Sequence, residues 1–534
     1  IREAIKENLT NACAKGDRSV VYRKRAVGCL KRYAMLLLFQ AYLMSTRTLC
    51  FEDWLANHPE FTRLLSDHER RDDVETLHPD IICVGDGMIS EDPLANRGEA
   101  AMDDIVRMVK GSPSGKARSG SVLAPMTILK FDHFPGCQRV VLRGEVERIA
   151  GAPNFRRVIL ADNLEIYGVA MPTADAIDRV VDLLTGRLEN LEASSSNRHI
   201  QVHWVCLREE PVVYVKGRPY VLRRVKDPVI NLEMTGIPSR RVENMEDRLR
   251  LELVQEASVH NQAVLLHEEG DGDIIAVWEQ VTDDEIETMK HVFKSKNIPY
   301  TRVPITDEQA PIPGTFDELK DLVLSQVENT KSTRLIFNCQ MGRGRTTTGM
   351  VIACLVLHCR NPGFKILPDC LSVSTSPPSS SLSGSPDSGQ LHALLAGRYP
   401  LINKLQAVLP LGKQAKAMVD AAIDKCDQMQ NLRECIYDQL VQCLDVRDDN
   451  SDLASDGTNG TNTSTSREEG EKASRALSYL LRYAYLVVFG AYLLEEKATM
   501  TESFTDWLST RRELENLLTS VKASKKDLCE QMLL

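Results

Sequence analysis

Residues 335–360 hold the segment that most restricts how this 534-residue chain can fold. An apolar run, Leu335–Phe337, leads into Asn-Cys-Gln-Met-Gly-Arg-Gly-Arg-Thr-Thr at 338–347. An apolar run with helical periodicity, Thr346–Cys359, follows. Strand, tight glycine loop and helix in this order predict an α/β fold. Such a loop turns backbone N–H groups toward one centre and backs them with a helix N-terminus, which makes a cradle for a phosphate-sized anion. Gln340, Met341, Gly342, Arg343 and Gly344 form the cradle, and the two glycines let the chain turn around the anion without a Cβ in the way.

Cys339 opens that loop and Arg345 closes it. A thiol in this field is favoured in its nucleophilic thiolate form. The planar fork of Arg345 can hold two equatorial oxygens. The hydroxyl of Thr346 can hydrogen-bond the departing thiolate. The implied chemistry is phosphoryl transfer to Cys339 followed by hydrolysis of the thiophosphate, with no metal and no cofactor required. Cys-x5-Arg alone is a weak signal, since Cys137–Arg143 and Cys354–Arg360 also fit it. The first lacks glycines and runs into a strand-like segment. The second lies in a helical pattern that makes its cysteine a core residue.

The leaving oxygen needs an acid on a loop that closes over the substrate. Tyr300–Val303 reads as a short strand, and Pro304–Pro311 as a loop carrying Asp307. A helix over Thr315–Val327 then leads to the strand before Cys339. Spacing nominates Asp307, with Glu308 as the alternative and Asp317 as a helix N-terminal residue. Elsewhere, Gln201–Cys206 and Ile274–Trp278 read as strands, and Val212–Tyr214 with Tyr220–Arg223 as a hairpin about Lys216-Gly217. Ala174–Leu184, Met245–Val259 and Asp283–Lys294 have helical periodicity.

An internal repeat sets the domain expectation. The run Leu30–Leu43 recurs as Leu480–Leu493, Phe51–Leu55 as Phe504–Leu508, and Ile1–Ile5 as Leu432–Ile436. One copy follows the Cys339 loop and the other opens the chain. Residues 1–75 are therefore expected to be the helical tail of an upstream phosphatase-like unit absent from this chain, and residues 80–520 one complete unit with additional C-terminal helices. Two low-complexity stretches, 372–389 and 448–470, are expected to be mobile loops.

Net charge is −10, which argues against free nucleic acid as a partner. The 14 cysteines show no CxxC pair. They read as reduced thiols, which places the chain in the cytoplasm, including the cytosolic face of membranes. No apolar stretch reads as long enough to span a bilayer. Ala34–Leu43 reads as a core helix, and membrane contact is expected to be peripheral only.

Several blocks together resemble the tyrosine-phosphatase-like inositol phosphatases, the cysteine phytases. These are Asn154–Arg157 with Gly168–Thr173, Leu207–Glu210 with Tyr214–Gly217, Tyr300–Asp307 with Pro311, and Cys339–Thr347. The tandem organisation resembles relatives of that family built from repeated units. The resemblance implies a tyrosine-phosphatase-like sheet flanked by helices, Asp307 as the acid, and Arg208 and Lys216 among the substrate-binding residues. It implies a phosphorylated lipid head group or inositol phosphate as ligand, with signalling proteins as further partners. Alternatives are a phosphotyrosine phosphatase and a catalytically weak scaffold. Three positions depart from the family pattern: Asn338 replaces a histidine, Cys206 an aspartate, and Arg343 an apolar residue. Arg343 supplies a second cation for a multiply phosphorylated ring or points to solvent.

Overall fold

The computed structural model describes residues 19–45, 51–56, 121–124, 127–133, 149–161, 164–185, 200–225, 228–270, 273–327, 333–360, 393–441, 462–496 and 501–523. Cys137–Arg143, the stretch 372–389, and residues 1–18, 57–75, 80–116 and 448–461 of the segments discussed above lie outside them. The chain divides into two compact units, Ile1–Lys116 with Met234–Ile237, and Ala117–Glu233 with Pro238–Leu534.

In the first unit, helices α1 (Ser19–Ser45) and α2 (Phe51–Ala56) contain the amino-terminal copy of the repeat. Its aromatic residues form a cluster that the other copy reproduces ring for ring. Phe39–Phe51 centroids are 5.2 Å apart at 86°, and Phe489–Phe504 are 5.2 Å apart at 84°. Tyr42–Phe51 and Tyr492–Phe504 are both 5.4 Å apart. Burial differs sharply. Leu36, Leu37, Phe39 and Leu43 are 55%, 55%, 43% and 46% exposed, whereas Leu486, Val487, Phe489 and Leu493 are 1%, 0%, 0% and 0% exposed. This differs from the expectation of a core helix over Ala34–Leu43: the periodicity is that of a core helix, but among the described residues no core lies against this face.

The second unit holds two sheets. Its strands are β1 (Thr127–Phe131), β2 (Arg156–Ala161), β3 (Leu164–Val169), β4 (Gln201–Cys206), β5 (Val212–Val215), β6 (Arg218–Arg224), β7 (Ala263–Gly270), β8 (Asp273–Gln280), β9 (Ile286–Thr288), β10 (Tyr300–Arg302) and β11 (Thr333–Asn338). The five-stranded sheet has order β10-β4-β11-β3-β2, parallel except for the edge strand β2. The six-stranded sheet has order β8-β7-β1-β6-β5-β9. Helices α3 (Ala174–Thr185), α4 (Ser239–Val259), α5 (Met289–Ser295), α6 (Pro313–Val327), α7 (Gly344–Arg360), α8 (Pro400–Val408), α9 (Gly412–Lys425), α10 (Asn462–Glu496), α11 (Phe504–Ser509) and α12 (Arg512–Ala523) complete it. The fold is α/β, with a central sheet flanked by helices and further helices at the C-terminal end.

Side chains on a strand alternate between faces, and the parallel sheet is apolar on both. Val205, Leu335 and Phe337 face one core with Phe316 of α6, Met350 and Cys354 of α7, Met418 of α9 and Phe489 of α10. Trp204, Cys206 and Ile336 face the other, with Ile177 of α3 and Phe293 of α5. Arg345–Leu357 of α7 are buried throughout, as a helix apolar on all sides must be. The six-stranded sheet packs Leu129, Val213 and Leu222 against Leu249 and Leu253 of α4.

Three expectations are corrected. Asp283–Lys294 is not one helix: a 3-10 turn at Asp283–Glu285 precedes β9, and α5 starts at Met289. Ile286 to Thr288 pair with Val215 to Val213, so sheet pairing overrides helical periodicity there. The expected loop over 448–470 is helical from Asn462 onward. One segment, Lys472–Glu496 in α10, does have the length and mean hydropathy (1.5) of a membrane-crossing helix. Its window is 78% buried inside the protein, as befits a core helix.

Where α10 crosses α9, Gly490 is closely packed. A Cβ there would lie 3.0 Å from Val419 Cγ2 and 3.4 Å from Met418 Cε. The matching position of the other copy is Gln40, an exposed residue. Gly490→Gln is therefore expected to destabilise the protein by about 1–3 kcal/mol through overpacking, read as a lowered midpoint in urea unfolding. An unchanged midpoint would show that the two helices have slack at this crossing.

Candidate active site

The site is built where the parallel strands end. Asn338 at the end of β11 pairs in register with Val169 of β3 and Cys206 of β4, so three chain segments leave the sheet at one level. Backbone bonds then tie the emerging loops together. Leu207 N donates to Asn338 O (2.8 Å), Val303 N to Cys206 O (2.8 Å), Ile305 N to Leu207 O (3.1 Å) and Met171 N to Gln340 O (2.9 Å). The carboxyl edge of a parallel sheet is where ligands bind in open α/β folds. The phosphate loop, the Arg208–Glu210 segment and the acid loop all meet there.

The loop from Cys339 to Arg345 turns at Gly342. Gly342 has φ +68°, and a Cβ on it would fall 2.5 Å from Ala170 N and 2.7 Å from Val169 C, so only glycine fits. Asn154 Nδ2 donates to Met341 O (2.7 Å), and Arg156 Nη1 donates to Gly342 O (2.6 Å). Arg156 also donates from Nη2 to Thr347 Oγ1 (3.0 Å). Cys339 is 3% exposed at the start of the loop. The buried Thr346 Oγ1 and Arg343 Nε have no hydrogen-bond partner among the described residues.

Arg345 sits at the centre of a buried charge network. Its Nη1 lies 3.0 Å from both carboxylate oxygens of Glu210, and its Nε lies 3.2 Å from Asp307 Oδ1. The second contact is an ion-pair separation whose N–H is not aligned for a hydrogen bond. Arg208 donates from Nε to Glu210 Oε2 (3.1 Å) and from Nη1 to Asp132 Oδ2. Asp132 Oδ1 accepts from Gln340 Nε2 (3.1 Å), which returns the network to the phosphate loop. Arg223 reaches Asn231 Oδ1, and Asn231 Nδ2 donates to Asp307 Oδ2. Burial works against the charge on Arg345, yet Asp307 and Glu210 hold its guanidinium well above the usual range. Burial would likewise raise the Glu210 carboxyl, but Arg345, Arg208 and Arg223 hold it at about 2. Desolvation pushes Arg156 down to about 10, with Cys339 as the first opposing influence.

The acid loop separates its two candidate carboxylates. Asp307 turns toward Arg345. Glu308, at φ +55°, instead pairs with Arg475 of α10 at 2.8 Å. Asp317 accepts from Phe504 N (2.6 Å) and Thr505 N (2.9 Å), a structural role at the start of α11. The base of the loop is anchored by Arg302, which pairs with Glu246 of α4 at 2.5 Å.

Cys339, Gln340, Met341, Gly342, Arg343, Gly344, Arg345, Thr346, Arg208 and Asp307 thus belong to one cluster or to the loop at its centre. Lys216 stands apart: it occupies the β5–β6 turn and pairs with Glu279 at 2.7 Å. Cys206 faces the apolar core, its Sγ 3.9 Å from Met289 Sδ. Asn338 Oδ1 accepts from Trp204 Nε1 (2.9 Å), so this side chain braces the sheet. Sequence reasoning did not nominate Asp132, Arg223, Asn231 or Arg482. None lies near the cysteine in sequence, and only folding brings them to it. Glu210 and Arg156 lay inside blocks already noted for resemblance, which was the signal available for them.

Residues 205–357 match the sequence family described as "PTPlike_phytase: Inositol hexakisphosphate". The chain is 25% identical to "Paladin" of Gallus gallus over 495 residues, covering 91% of this chain and 46% of that protein. It is 26% identical to "Paladin" of Homo sapiens over 508 residues, covering 93% and 46%. It thus spans just under half the length of these relatives. A solved structure, the PTP-like myo-inositol phosphatase from Mitsuokella multacida in complex with myo-inositol-(1,3,4,5)-tetrakisphosphate, superposes with TM-score 0.38 at 13% identity, over 74% of this chain and 49% of that one. The chain is thus similar to the paladins over most of its length, and its residues 205–357 match the PTP-like phytase family model.

Proposed function

We propose that the chain is a cysteine-dependent phosphomonoesterase acting on phosphoinositides or inositol phosphates. The observation that carries this reading is Arg345, buried at the rim of the Gly342 loop between Glu210 and Asp307. In this reading Cys339 attacks phosphorus and the ester oxygen leaves with the proton of Asp307. The loop N–H groups and Arg345 hold the equatorial oxygens, and Thr346, whose hydroxyl is unpartnered among the described residues, steadies the thiolate as it leaves. Arg343, whose buried Nε has no hydrogen-bond partner among the described residues, suits a ring with several phosphates better than a single phosphotyrosine.

Asn338 supports a second reading, a phosphatase-like binding protein with little turnover. Its amide is engaged by Trp204 and by its own backbone neighbour, so it offers nothing to the Cys339 thiolate. A phosphate-release panel separates the two. Phosphoinositides, inositol phosphates and phosphotyrosine peptides would be compared, with Cys339→Ser as the blank. Release equal to the blank on every substrate, with phosphoinositide binding intact, would favour the binding protein.

Arg345→Lys is expected to lose about 10²–10³ in turnover, because a point charge cannot reproduce two parallel hydrogen bonds. Near-normal rates would exclude Arg345 as the transition-state clamp. Asp307→Asn is expected to lose about 10²–10⁴ on an inositol phosphate and far less on an activated aryl phosphate, whose oxygen leaves unprotonated. Equal small losses would transfer the role to another group.

Stability should carry the signature of Glu210. Its carboxyl titrates at about 2 in the folded protein against an ordinary 4.5. A depressed carboxyl contributes stability in full above the unfolded value and loses it as pH falls toward the folded one. Unfolding free energy should therefore fall as pH drops from about 4.5 toward 2, and fall less steeply in Glu210→Gln. Parallel profiles for the two proteins would show that Glu210 is not the titrating group.

A further inference from the structure

We propose that Arg482, on the closing helix α10, is a positioning residue that fixes the acid loop and so ties the C-terminal helical repeat to proton transfer. The proposal rests on the phosphatase reading above and adds to it a residue distant in sequence from both loops.

Arg482 turns its fork onto one atom of the acid loop. Nε and Nη2 donate to Gln309 O at 3.0 and 2.7 Å, and Gln309 lies two residues beyond Asp307. The remaining arm reaches the other loop, since a Cβ built on Gly344 would lie 3.2 Å from Arg482 Nη1. One guanidinium therefore touches the segment that carries the acid and borders the residue next to Arg345. Arg482 is 1% exposed and, among the described residues, has no carboxylate at ion-pair distance. Its charge is offset by the Gln309 carbonyl and by the Tyr479 ring, 5.5 Å from Cζ. Burial lowers its affinity for the proton, with Tyr479 and Asp307 opposing that effect.

A buried arginine without a carboxylate is costly, and an apolar residue would pack here more cheaply. What the guanidinium supplies instead is geometry. Gln309 N donates to Thr306 O at 3.3 Å, Gln309 Nε2 reaches Glu233 Oε2 at 3.3 Å, and the half-exposed Glu308–Arg475 pair is worth little in water. A loop that must hold a carboxyl within hydrogen-bond reach of a leaving oxygen needs a rigid strut, because a misplacement of about 1 Å can cost about 10² in rate. Both bonding donors are spent on a carbonyl, which distinguishes Arg482 from a phosphate ligand.

The test uses the full chain with inositol hexakisphosphate and 4-nitrophenyl phosphate. Arg482→Met should lower kcat on the inositol phosphate by about 10–10² and lower it on the aryl phosphate at least about tenfold less. In an Asp307→Asn background the same change should add almost nothing, since both act on one step. Arg482→Lys, which keeps the charge and one donor, should recover part of the loss. Equal losses on both substrates, or losses that multiply with Asp307→Asn, would overturn the proposal and assign Arg482 to the phosphate loop or to stability. Backbone hydrogen exchange provides a readout independent of turnover. Arg482→Met should speed exchange at 305–310 while leaving 350–357 of α7 unchanged, and unaltered exchange at 305–310 would also overturn it. If the parent protein releases phosphate from neither substrate, the phosphatase reading fails by itself, and exchange alone decides the role of Arg482.

Discussion

The pairing of the buried Arg345 with Glu210 and Asp307 is the constraint around which the rest is arranged, since removing either carboxylate would leave a buried charge under-compensated. Glu210 follows β4, Asp307 follows β10, and Arg345 opens the helix after β11. Their meeting requires those three strands to be parallel and level at one edge, which the register of Asn338 with Cys206 and of Arg302 with Cys206 provides. The network then extends through Arg208 to Asp132, just beyond a strand of the second sheet. The two sheets are thus linked by charge pairs as well as by apolar packing. Such pairs contribute position more than net stability.

Two further buried arginines, Arg156 and Arg482, border the Cys339–Arg345 loop without a carboxylate partner among the described residues. Each is almost wholly buried, and among the described residues each is partnered by backbone carbonyls, a hydroxyl or a ring. Arg156 approaches the phosphate loop from β2, and Arg482 from α10. Their charge costs desolvation that carbonyls, a hydroxyl and a ring offset only in part.

The helical repeat shows how context governs one sequence. Both copies build the same aromatic cluster, because ring contacts within a helical hairpin are local. Only the second copy buries its outer face, against α6, α7 and α9, and there Phe316 enters the aromatic cluster 4.9 Å from Phe489. Arg32, which matches Arg482, is exposed. The motif therefore specifies a hairpin, while the role of its arginine depends on what the hairpin packs against.

The strand–loop–helix at 335–360, the acid loop, most of the strands and the repeat were legible in the sequence because each rests on local signals: glycines at a turn, period-2 or period-3.6 apolar spacing, proline boundaries. Asp283–Lys294 misled because Ile286 and Thr288 fit a helix face and a short strand equally well, and only pairing with β5 decided between them. Glu210 could be noted only as part of a block and Arg482 only as part of the repeat, and Asp132 and Asn231 gave no signal, since a buried ion pair or a fork on a carbonyl joins positions without sequence periodicity. The amino-acid sequence by itself determined that a strand, a tight glycine loop opening on Cys339 and a helix would follow one another. Tertiary structure alone decided which carboxylate faces Arg345, that Lys216 would stand outside the cluster and that α10 would close the site, because those outcomes depend on which chain segments emerge together at one edge of the sheet.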